Sequence, residues 1–246
     1  MTDSVVIIPT YKEKENIENI IRKVISLPKT FHILIIEDNS PDGTAAIVKS
    51  LQKEYPEILF MIERSGKLGL GTAYITGFKW CLEHGYTYIY EMDADFSHNP
   101  EDLQRLYEAC SAEAPALAVG SRYKSGVNVV NWPMGRVIMS YYASAYVRMI
   151  TGMNVRDTTA GFVCYHRKVL EAIDLDNIKM KGYGFQIEMK FTTWKLGFPI
   201  AEVPIIFTDR KQGQSKMSGG IFGEAFWGVL KLKLNSFFKT YKRKES

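Results

Sequence analysis

Residues 86–95 read YTYIYEMDAD, an apolar run that ends in two aspartates separated by one alanine. The run predicts a strand over residues 86–92, with Asp93 and Asp95 together at its carboxyl end. Magnesium prefers oxygen ligands and is often held by one or two carboxylates together with substrate phosphates. Two acids at this spacing also suit a solvated loop, so their interpretation depends on the sequence around them.

Short apolar runs and amphipathic stretches alternate before this segment. Strands are predicted at residues 5–8, 31–36 and 58–62, and helices at 17–25, 44–54 and 70–84. This β-α-β-α order predicts an α/β fold, with a mainly parallel sheet flanked by helices on both faces. Ligands of such sheets bind outside the carboxyl ends of the strands, where the polar, turn-rich segments of this chain fall.

The second half is less regular. It predicts strands at residues 117–120 and 162–165, helices at 134–151 and 185–196, and extended runs around Pro199 and Pro204. An amphipathic helix is predicted from Gly219 onward.

Three segments at the predicted strand ends suit a nucleotide. Pro9, Tyr11 and Glu13 follow the first strand and could hold a base, although they also suit a strand terminator and a helix N-terminal acid. Asp38 follows the second strand and could accept hydrogen bonds from a base or ribose, or could open an Asx-turn. Residues 64–71, RSGKLGLG, could let cations and backbone approach a phosphate, but they match neither a Walker loop nor a dinucleotide fingerprint.

Bulk composition sets broad limits. The 246 residues are 46% hydrophobic and 24% charged, which is ordinary for a globular protein able to bury a core. The net charge of +4 is mild, and the basic residues are scattered among acids, so no nucleic-acid partner is expected. The three cysteines are far apart and lack metal-ligand spacing, which favours a reduced, cytoplasmic compartment. No signal peptide or spanning segment is expected.

Four motifs occur in a characteristic order: VVIIPTYKE at 5–13, EDNSPDGT at 37–44, KLGLGTAY at 67–74 and MDADFSHNP at 92–100. Four narrower ones follow: GSRY at 120–123, DTTAGF at 157–162, KGYGFQ at 181–186 and DRKQGQSK at 209–216. Together they resemble the family 2 glycosyltransferases of the GT-A fold, and more narrowly the dolichyl- or polyprenol-phosphate mannosyltransferases. The resemblance covers residues 5–216.

The resemblance implies a catalytic domain over residues 1–220, with a GT-A type, Rossmann-like nucleotide-binding fold, and a C-terminal amphipathic basic helix or tail over 221–246. It assigns the nucleotide contacts to Pro9, Tyr11, Glu13, Asp38, Lys67 and Asp93. It assigns Mg²⁺ or Mn²⁺ to Asp93 and Asp95, which would be catalytic together with Arg210. It assigns the acceptor phosphate to Arg122, Arg136, Arg210 and Lys216. Some relatives have a glutamine as a third metal ligand where this chain has Ser97.

The implied reaction is an inverting transfer of mannose from GDP-mannose to a polyprenyl phosphate. A phosphate monoester is largely dianionic at neutral pH and needs no general base, which fits the lack of an obvious Ser-His-Asp or Cys-His set. Two alternatives within the class are a transferase that uses UDP-glucose or another nucleotide sugar and one that acts on a glycan. A third, of another class, is a non-catalytic nucleotide- or lipid-binding subunit.

Two further features have two interpretations each. His98 could contact the metal or phosphates, or serve the local turn. The C-terminal segment places aromatic residues at helical spacing beside lysines and an arginine, which predicts a helix lying on the cytoplasmic face of an anionic membrane. It equally suits a helix docked on the catalytic domain, with a solvated basic tail. A membrane-anchoring subunit is a further candidate partner.

Overall fold

A seven-stranded sheet forms the centre of the computed structural model, which describes residues 2–112, 116–209 and 220–242. The strands are β1 Ser4–Thr10, β2 His32–Glu37, β3 Leu59–Glu63, β4 Tyr88–Glu91, β5 Leu117–Ser121, β6 Val129–Val130, β7 Val163–His166, β8 Ile200–Pro204 and β9 Phe207–Thr208. The helices are α1 Ile17–Ile25, α2 Thr44–Glu54, α3 Leu70–Glu83, α4 Asp102–Ala112, α5 Met134–Thr151, α6 Arg167–Ala172, α7 Tyr183–Lys195 and α8 Gly220–Asn235.

The strand order is β3-β2-β1-β4-β7-β5-β8, and every neighbouring pair is parallel except the two that include β7. Strands β6 and β9 form a separate parallel pair, in which the amide of Thr208 donates to the carbonyl of Ser97, after the end of β4, at 3.2 Å. The prediction of a mainly parallel sheet flanked by helices is confirmed. The reversed strand β7 was not anticipated.

Strand β1 is buried on both faces, as expected for a central parallel strand. Val6 and Ile8 pack with α1, α2 and α4, whereas Val5 and Ile7 pack with α3 and α7 on the opposite face. Helix α3 lies so close to β1 that a Cβ at Gly77 would be 2.8 Å from Cδ1 of Ile7. The helices are therefore held on both sides of the strands whose ends form the candidate site.

Most elements lie where the sequence predicts them. The helices at 17–25, 44–54 and 134–151 have the expected bounds, whereas β4 is shorter than its predicted run. Helices α4 and α6 and strands β6 and β9 were missed. The missed α4 carried a recognisable signal, since Leu103, Leu106 and Cys110 recur at helical spacing and are all fully buried.

All three cysteines are buried and unbridged, and the reduced compartment that the sequence favours remains a prediction. Burial raises the pKa values of the thiols of Cys81 and Cys164. Within the described ranges, no helix combines the length and apolar character needed to cross a bilayer.

Helix α8 packs on α5 and α7 through one face. Val229 and Leu232 lie against Val147 and Phe191 in a small apolar cluster. The other face of α8 is exposed, and its neighbouring turn exposes Phe238 at 92%. The docked part of this segment is thus observed, whereas its contact with a membrane and the boundary between residues 220 and 221 remain predictions.

Candidate active site

A cleft opens at the carboxyl end of β4, where the sequence places the two aspartates. The strands around it bring together residues that lie far apart in the chain. Its lining includes Asp93, Asp95, Ser97, His98, Arg122, Trp132, Arg136, Thr159, Tyr183, Gln186 and Asp209. The structure thus places both predicted metal ligands and two of the predicted acceptor-site arginines in one cleft.

The turn that carries the aspartates is fixed by a buried histidine. The amide of Asp93 donates to Nδ1 of His98 at 3.4 Å, and the ring of His98 stacks on Phe162 with centroids 4.8 Å apart. Burial lowers the pKa of His98 to about 4, so the ring is neutral at pH 7 and its Nδ1 can accept this hydrogen bond. A neutral ring forms no ion pair with the Asp93 carboxylate, 3.9 Å away. Of the two interpretations of His98, the geometry favours the turn.

The same turn fits a divalent cation. Asp93 keeps 40% of its side chain exposed, and Asp95 accepts a hydrogen bond from the amide of Ser97 at 3.1 Å. The hydroxyl of Ser97 is buried without a hydrogen-bond partner among the described residues, and Ser97 lines the same cleft as the two carboxylates. No three His, Cys, Asp or Glu side chains of the described ranges cluster for a metal. Asp93 and Asp95 would therefore hold Mg²⁺ or Mn²⁺ together with substrate phosphates.

Arg122 is fixed in the cleft wall by a buried, bidentate ion pair. Its Nε and Nη2 donate to the two carboxylate oxygens of Asp157 at 2.7 and 2.6 Å, and Nη2 also donates to Thr159 at 2.9 Å. Burial alone would raise the pKa of Asp157, but Arg122 outweighs it and the net shift is downward. The guanidinium is therefore held in place before any ligand binds.

Arg136 is the more exposed of the two arginines. Its Nη1 donates to Asp209 at 3.1 Å, and the pair is about 28% and 29% exposed. Its guanidinium lies 4.0 Å from the ring centroid of Trp132, which also contacts Arg122 at 5.5 Å. Trp132 thus contacts both guanidinium groups, a role that was not predicted from the sequence. Arg210 and Lys216 lie outside the described residues, and their roles remain predictions.

Apart from Asp93, the predicted nucleotide residues lie at or after the carboxyl ends of β1, β2 and β3, which precede β4 in the sheet order. Asp38 forms a bidentate ion pair with Arg64 at 2.6 and 2.7 Å, so its carboxylate binds a side chain outside any local Asx-turn. Lys67 places its ammonium 5.2 Å from the ring centroid of Tyr11. The amide of Glu13 donates to Thr44 at 3.2 Å. Pro9 is paired with β2 at Ile36.

A buried polar network lies beneath the cleft and was not anticipated from the sequence. Gln186 donates to Glu91 at 2.5 Å, and Lys190 donates to the carbonyl of Ala160 at 2.6 Å and to the Gln186 side chain at 3.2 Å. Burial raises the pKa of Glu91 to about 8 and lowers that of Lys190 to about 8. The network ties β4, the 157–161 loop and α7 together directly below the aspartates. In the sequence, the KGYGFQ motif contains Gln186 but indicates no role for it.

An apolar groove of about 430 Å³ runs between α5 and α8 and joins the cleft. Its walls include Met139, Tyr142 and Tyr146, and the ring of Tyr146 stacks on Phe226 with centroids 4.6 Å apart. Five residues line both the groove and the cleft: Arg122, Trp132, Arg136, Thr159 and Tyr183. An amphiphile could therefore lie in the groove with its polar end at the arginines.

Solved structures of low sequence identity share this fold. A glucosyl-3-phosphoglycerate synthase from Mycobacterium tuberculosis, in complex with Mn²⁺, UDP and glucosyl-3-phosphoglycerate, superposes with a TM-score of 0.65 at 17% identity. The match covers 94% of this chain and 78% of that one. A mannosyltransferase from Pyrobaculum calidifontis, in complex with GDP-Man and Mn²⁺, gives a TM-score of 0.58 at 13% identity over 96% of this chain and 74% of that one. The fold is thus GT-A-like.

Two relatives are much closer in sequence. A polyprenol monophosphomannose synthase from Mycolicibacterium smegmatis is 46% identical over 92% of this chain and 87% of its own. An undecaprenyl-phosphate mannosyltransferase from Micrococcus luteus is 46% identical over 91% of this chain and 93% of its own. The sequence model of glycosyl transferase family 2 matches residues 5–174, which include the aspartates and Arg122. This chain therefore belongs to glycosyl transferase family 2.

Proposed function

We propose that this chain transfers mannose from GDP-mannose to the phosphate of a polyprenyl lipid, with inversion, to give a polyprenyl-phosphate β-mannose. The observation that carries the proposal is the apolar groove that meets two arginines beside the paired aspartates. Two relatives at 46% identity, whose names specify mannose and a polyprenol or undecaprenyl phosphate, support it.

The groove and its arginines suit an acceptor with an apolar body and an anionic head. Its walls are largely aromatic and aliphatic, a lining that offers few partners to the hydroxyls of a glycan. Arg122 and Arg136 stand where the groove meets the cleft, and arginines bind phosphate oxygens through charge-assisted, often bidentate hydrogen bonds. The lipid is thus favoured over a glycan as the acceptor.

The proposed chemistry is a single displacement. An oxygen of the acceptor phosphate attacks the anomeric carbon of the sugar as the bond from that carbon to the diphosphate breaks, and GDP leaves with the electron pair. An α-linked donor then yields a β-linked product. A divalent ion held by Asp93 and Asp95 would supply positive charge to offset the charge on the leaving diphosphate.

No proton needs to leave the dianionic acceptor, so no general base is needed. The neutral, turn-fixed His98 agrees with such a mechanism. The main task of the protein is to bring two polyanions together. Arg122, held rigidly by Asp157, provides fixed positive charge for this purpose.

We also place the enzyme on the cytoplasmic face of a membrane, where a lipid acceptor is found. Helix α5 exposes Met134 at 71% and Met149 at 75%, and α8 exposes Trp227 at 70%. Exposed apolar and aromatic side chains beside lysines are typical of helices that lie in a bilayer interface. The same face could also receive a membrane-anchoring subunit.

The test of the acceptor uses the groove. Ala143 lines the groove on α5, and Ala143→Phe would fill part of it. Loss of contact with two lipid methylenes is worth about 1.6 kcal/mol, so we expect the KM for a polyprenyl phosphate to rise about 15-fold. Ala112→Phe, at an exposed position of α4 that does not line the groove, is the matched control and should leave the KM unchanged.

The test of the donor compares GDP-mannose with UDP-glucose in the same assay, with magnesium or manganese present. We expect product with GDP-mannose and no product with UDP-glucose. Equal or faster transfer from UDP-glucose would refute the donor assignment, and nucleotide binding without any turnover would instead indicate a binding subunit.

A further inference from the structure

A second cavity, of about 550 Å³, lies among α7, α8 and the segment 177–181. On α8 it is lined by Gly228, Lys231 and Asn235, a different face of the helix from the one at which Phe226 lines the groove. None of the described residues assigned to the nucleotide, the metal or the acceptor phosphate lines it, and Arg210 and Lys216 lie outside the described ranges. The cavity is therefore separate from the active site and is not used by the proposed reaction.

The cavity collects positive charge. Four lysines from three parts of the chain line it: Lys179, Lys181, Lys231 and Lys239. The one carboxylate among its described lining residues, Glu188, is 8% exposed and accepts hydrogen bonds from the backbone amides of residues 179 and 180 at 2.9 and 2.8 Å. Within the described ranges, none of the four ammonium groups forms an ion pair. Four exposed lysines around one cavity make it locally positive, so the lining suits a multiply charged anion.

The floor of the cavity is apolar. Met180 lies between α7 and α8, and this position depends on two glycines. A Cβ at Gly184 or at Gly228 would come within 2.8 or 2.6 Å of Cε of Met180. Together with Leu232, Met180 forms an apolar surface inside the basic rim. A ligand with a charged group and an apolar attachment matches this arrangement better than a fully hydrated ion does.

The surface next to the cavity indicates where such a ligand comes from. Trp227, Leu234 and Phe238 are 70%, 61% and 92% exposed, and they alternate along the helix and its end with Lys231 and Lys239. Aromatic and aliphatic side chains that alternate with lysines are suited to the region where headgroups meet acyl chains. Placing this face in a leaflet would bring the mouth of the cavity to the level of lipid phosphates.

We propose that this lysine-lined cavity binds the phosphate-bearing headgroup of an anionic membrane lipid, at a site distinct from that of the acceptor. The bound lipid does not react. It holds α8 against the bilayer and so keeps the groove open to the leaflet. The shared chemistry is a phosphate group, which a soluble phosphate could also supply, and the experiment separates the two sources.

The experiment measures binding of the full chain to vesicles of phosphatidylcholine, with or without phosphatidylglycerol. The cavity variant is Lys179→Gln/Lys231→Gln. The control is Lys53→Gln/Lys168→Gln, which removes the same charge from α2 and α6, outside the cavity. We expect the cavity variant to bind the anionic vesicles about 30-fold more weakly than the wild type, since two cations near such a surface are lost. The control should lose much less affinity for the anionic vesicles. All three proteins should bind the neutral vesicles equally.

A second arm titrates each protein with inorganic phosphate and with sn-glycerol 3-phosphate by calorimetry. If soluble phosphate binding depends on the cavity but vesicle binding does not, the anion site stands and the lipid assignment is overturned. Equal losses of vesicle binding in the cavity and control variants, without cavity-dependent phosphate binding, overturn the site itself. Both variants are also assayed for mannosyl transfer in detergent. We expect the wild-type rate, which would show that they are correctly folded. If the wild type transfers no mannose, the vesicle comparison can still be read, so the two proposals can fail separately.

Discussion

Replacing Asp157 by asparagine would test how the cleft holds its fixed cation. In the described structure, Asp157 is the only carboxylate hydrogen-bonded to Arg122, at 2.7 and 2.6 Å. Its side chain is fully buried, and that of Arg122 is 7% exposed. Breaking a buried pair by neutralising one partner costs about 3–5 kcal/mol, because the other charge stays buried. Asparagine keeps the shape and one acceptor, so we expect a loss near the lower end, about 3 kcal/mol.

The assay is equilibrium unfolding in urea, where such a loss moves the midpoint by about 1 M or more at the usual dependence on denaturant. Glu171→Gln is the control, because Glu171 pairs with Arg167 on the surface and such pairs are worth at most about 1 kcal/mol. If Asp157→Asn costs no more than this control, the pair is solvated and the reasoning is wrong.

A double variant separates stability from function. Arg122→Met/Asp157→Leu replaces both charges by apolar side chains of similar size, a change that is often neutral or stabilising for buried pairs. We expect the double variant to have most of the wild-type free energy of unfolding but no mannosyl transfer. Recovery of transfer with stability would remove Arg122 from the acceptor site.

Three further predictions concern packing, pH and the metal. Gly77→Ala should cost about 1–3 kcal/mol because the new methyl meets Ile7, whereas Gly135→Ala, in open space on α5, should gain about 0.5–1 kcal/mol; thermal unfolding checks both. The pKa of His98 is about 4 in the folded protein, below the ordinary value of 6.5, so the unfolded chain takes up this proton first as the pH falls. Stability in metal-free buffer should therefore fall by about 3 kcal/mol as pH drops from 7 towards 4, and His98→Gln should lack this loss in urea titrations at both pH values. Asp95→Ala should lower transfer at least about 100-fold with an unchanged circular dichroism spectrum, and full wild-type activity in excess EDTA would contradict a metal role.

Much of the fold could be predicted from local sequence patterns. Buried parallel strands such as residues 5–8 are continuous apolar runs, and α1 and α2 have strong helical periodicity, so both were predictable. The aspartates were placed correctly because their position depends only on where one strand ends. The reversed strand β7 was not predictable in this way, since strand direction depends on pairing with residues far along the chain.

The cleft itself could be predicted only in part, for a related reason. Arg122 was assigned from its motif, but its partner Asp157 lies 35 residues away, and no local pattern joins them. The contribution of helix α7 was not predictable for another reason. Gln186 and Lys190 are polar residues, yet they are only 2% and 0% exposed. A hydrophobic pattern counts such residues as solvated, although their hydrogen bonds place them in the core.

The burial of every cysteine has a practical consequence for spectroscopy. Cys81, Cys110 and Cys164 are each 0% exposed, and burial disfavours the thiolate of Cys81 and of Cys164, so thiol reagents should not modify the folded protein. A single cysteine introduced at Leu234 could then take a fluorophore or a nitroxide in the native background. Such a label would report the depth of α8 in a bilayer directly. In the unlabelled protein, the rate of thiol modification would measure how often the core opens.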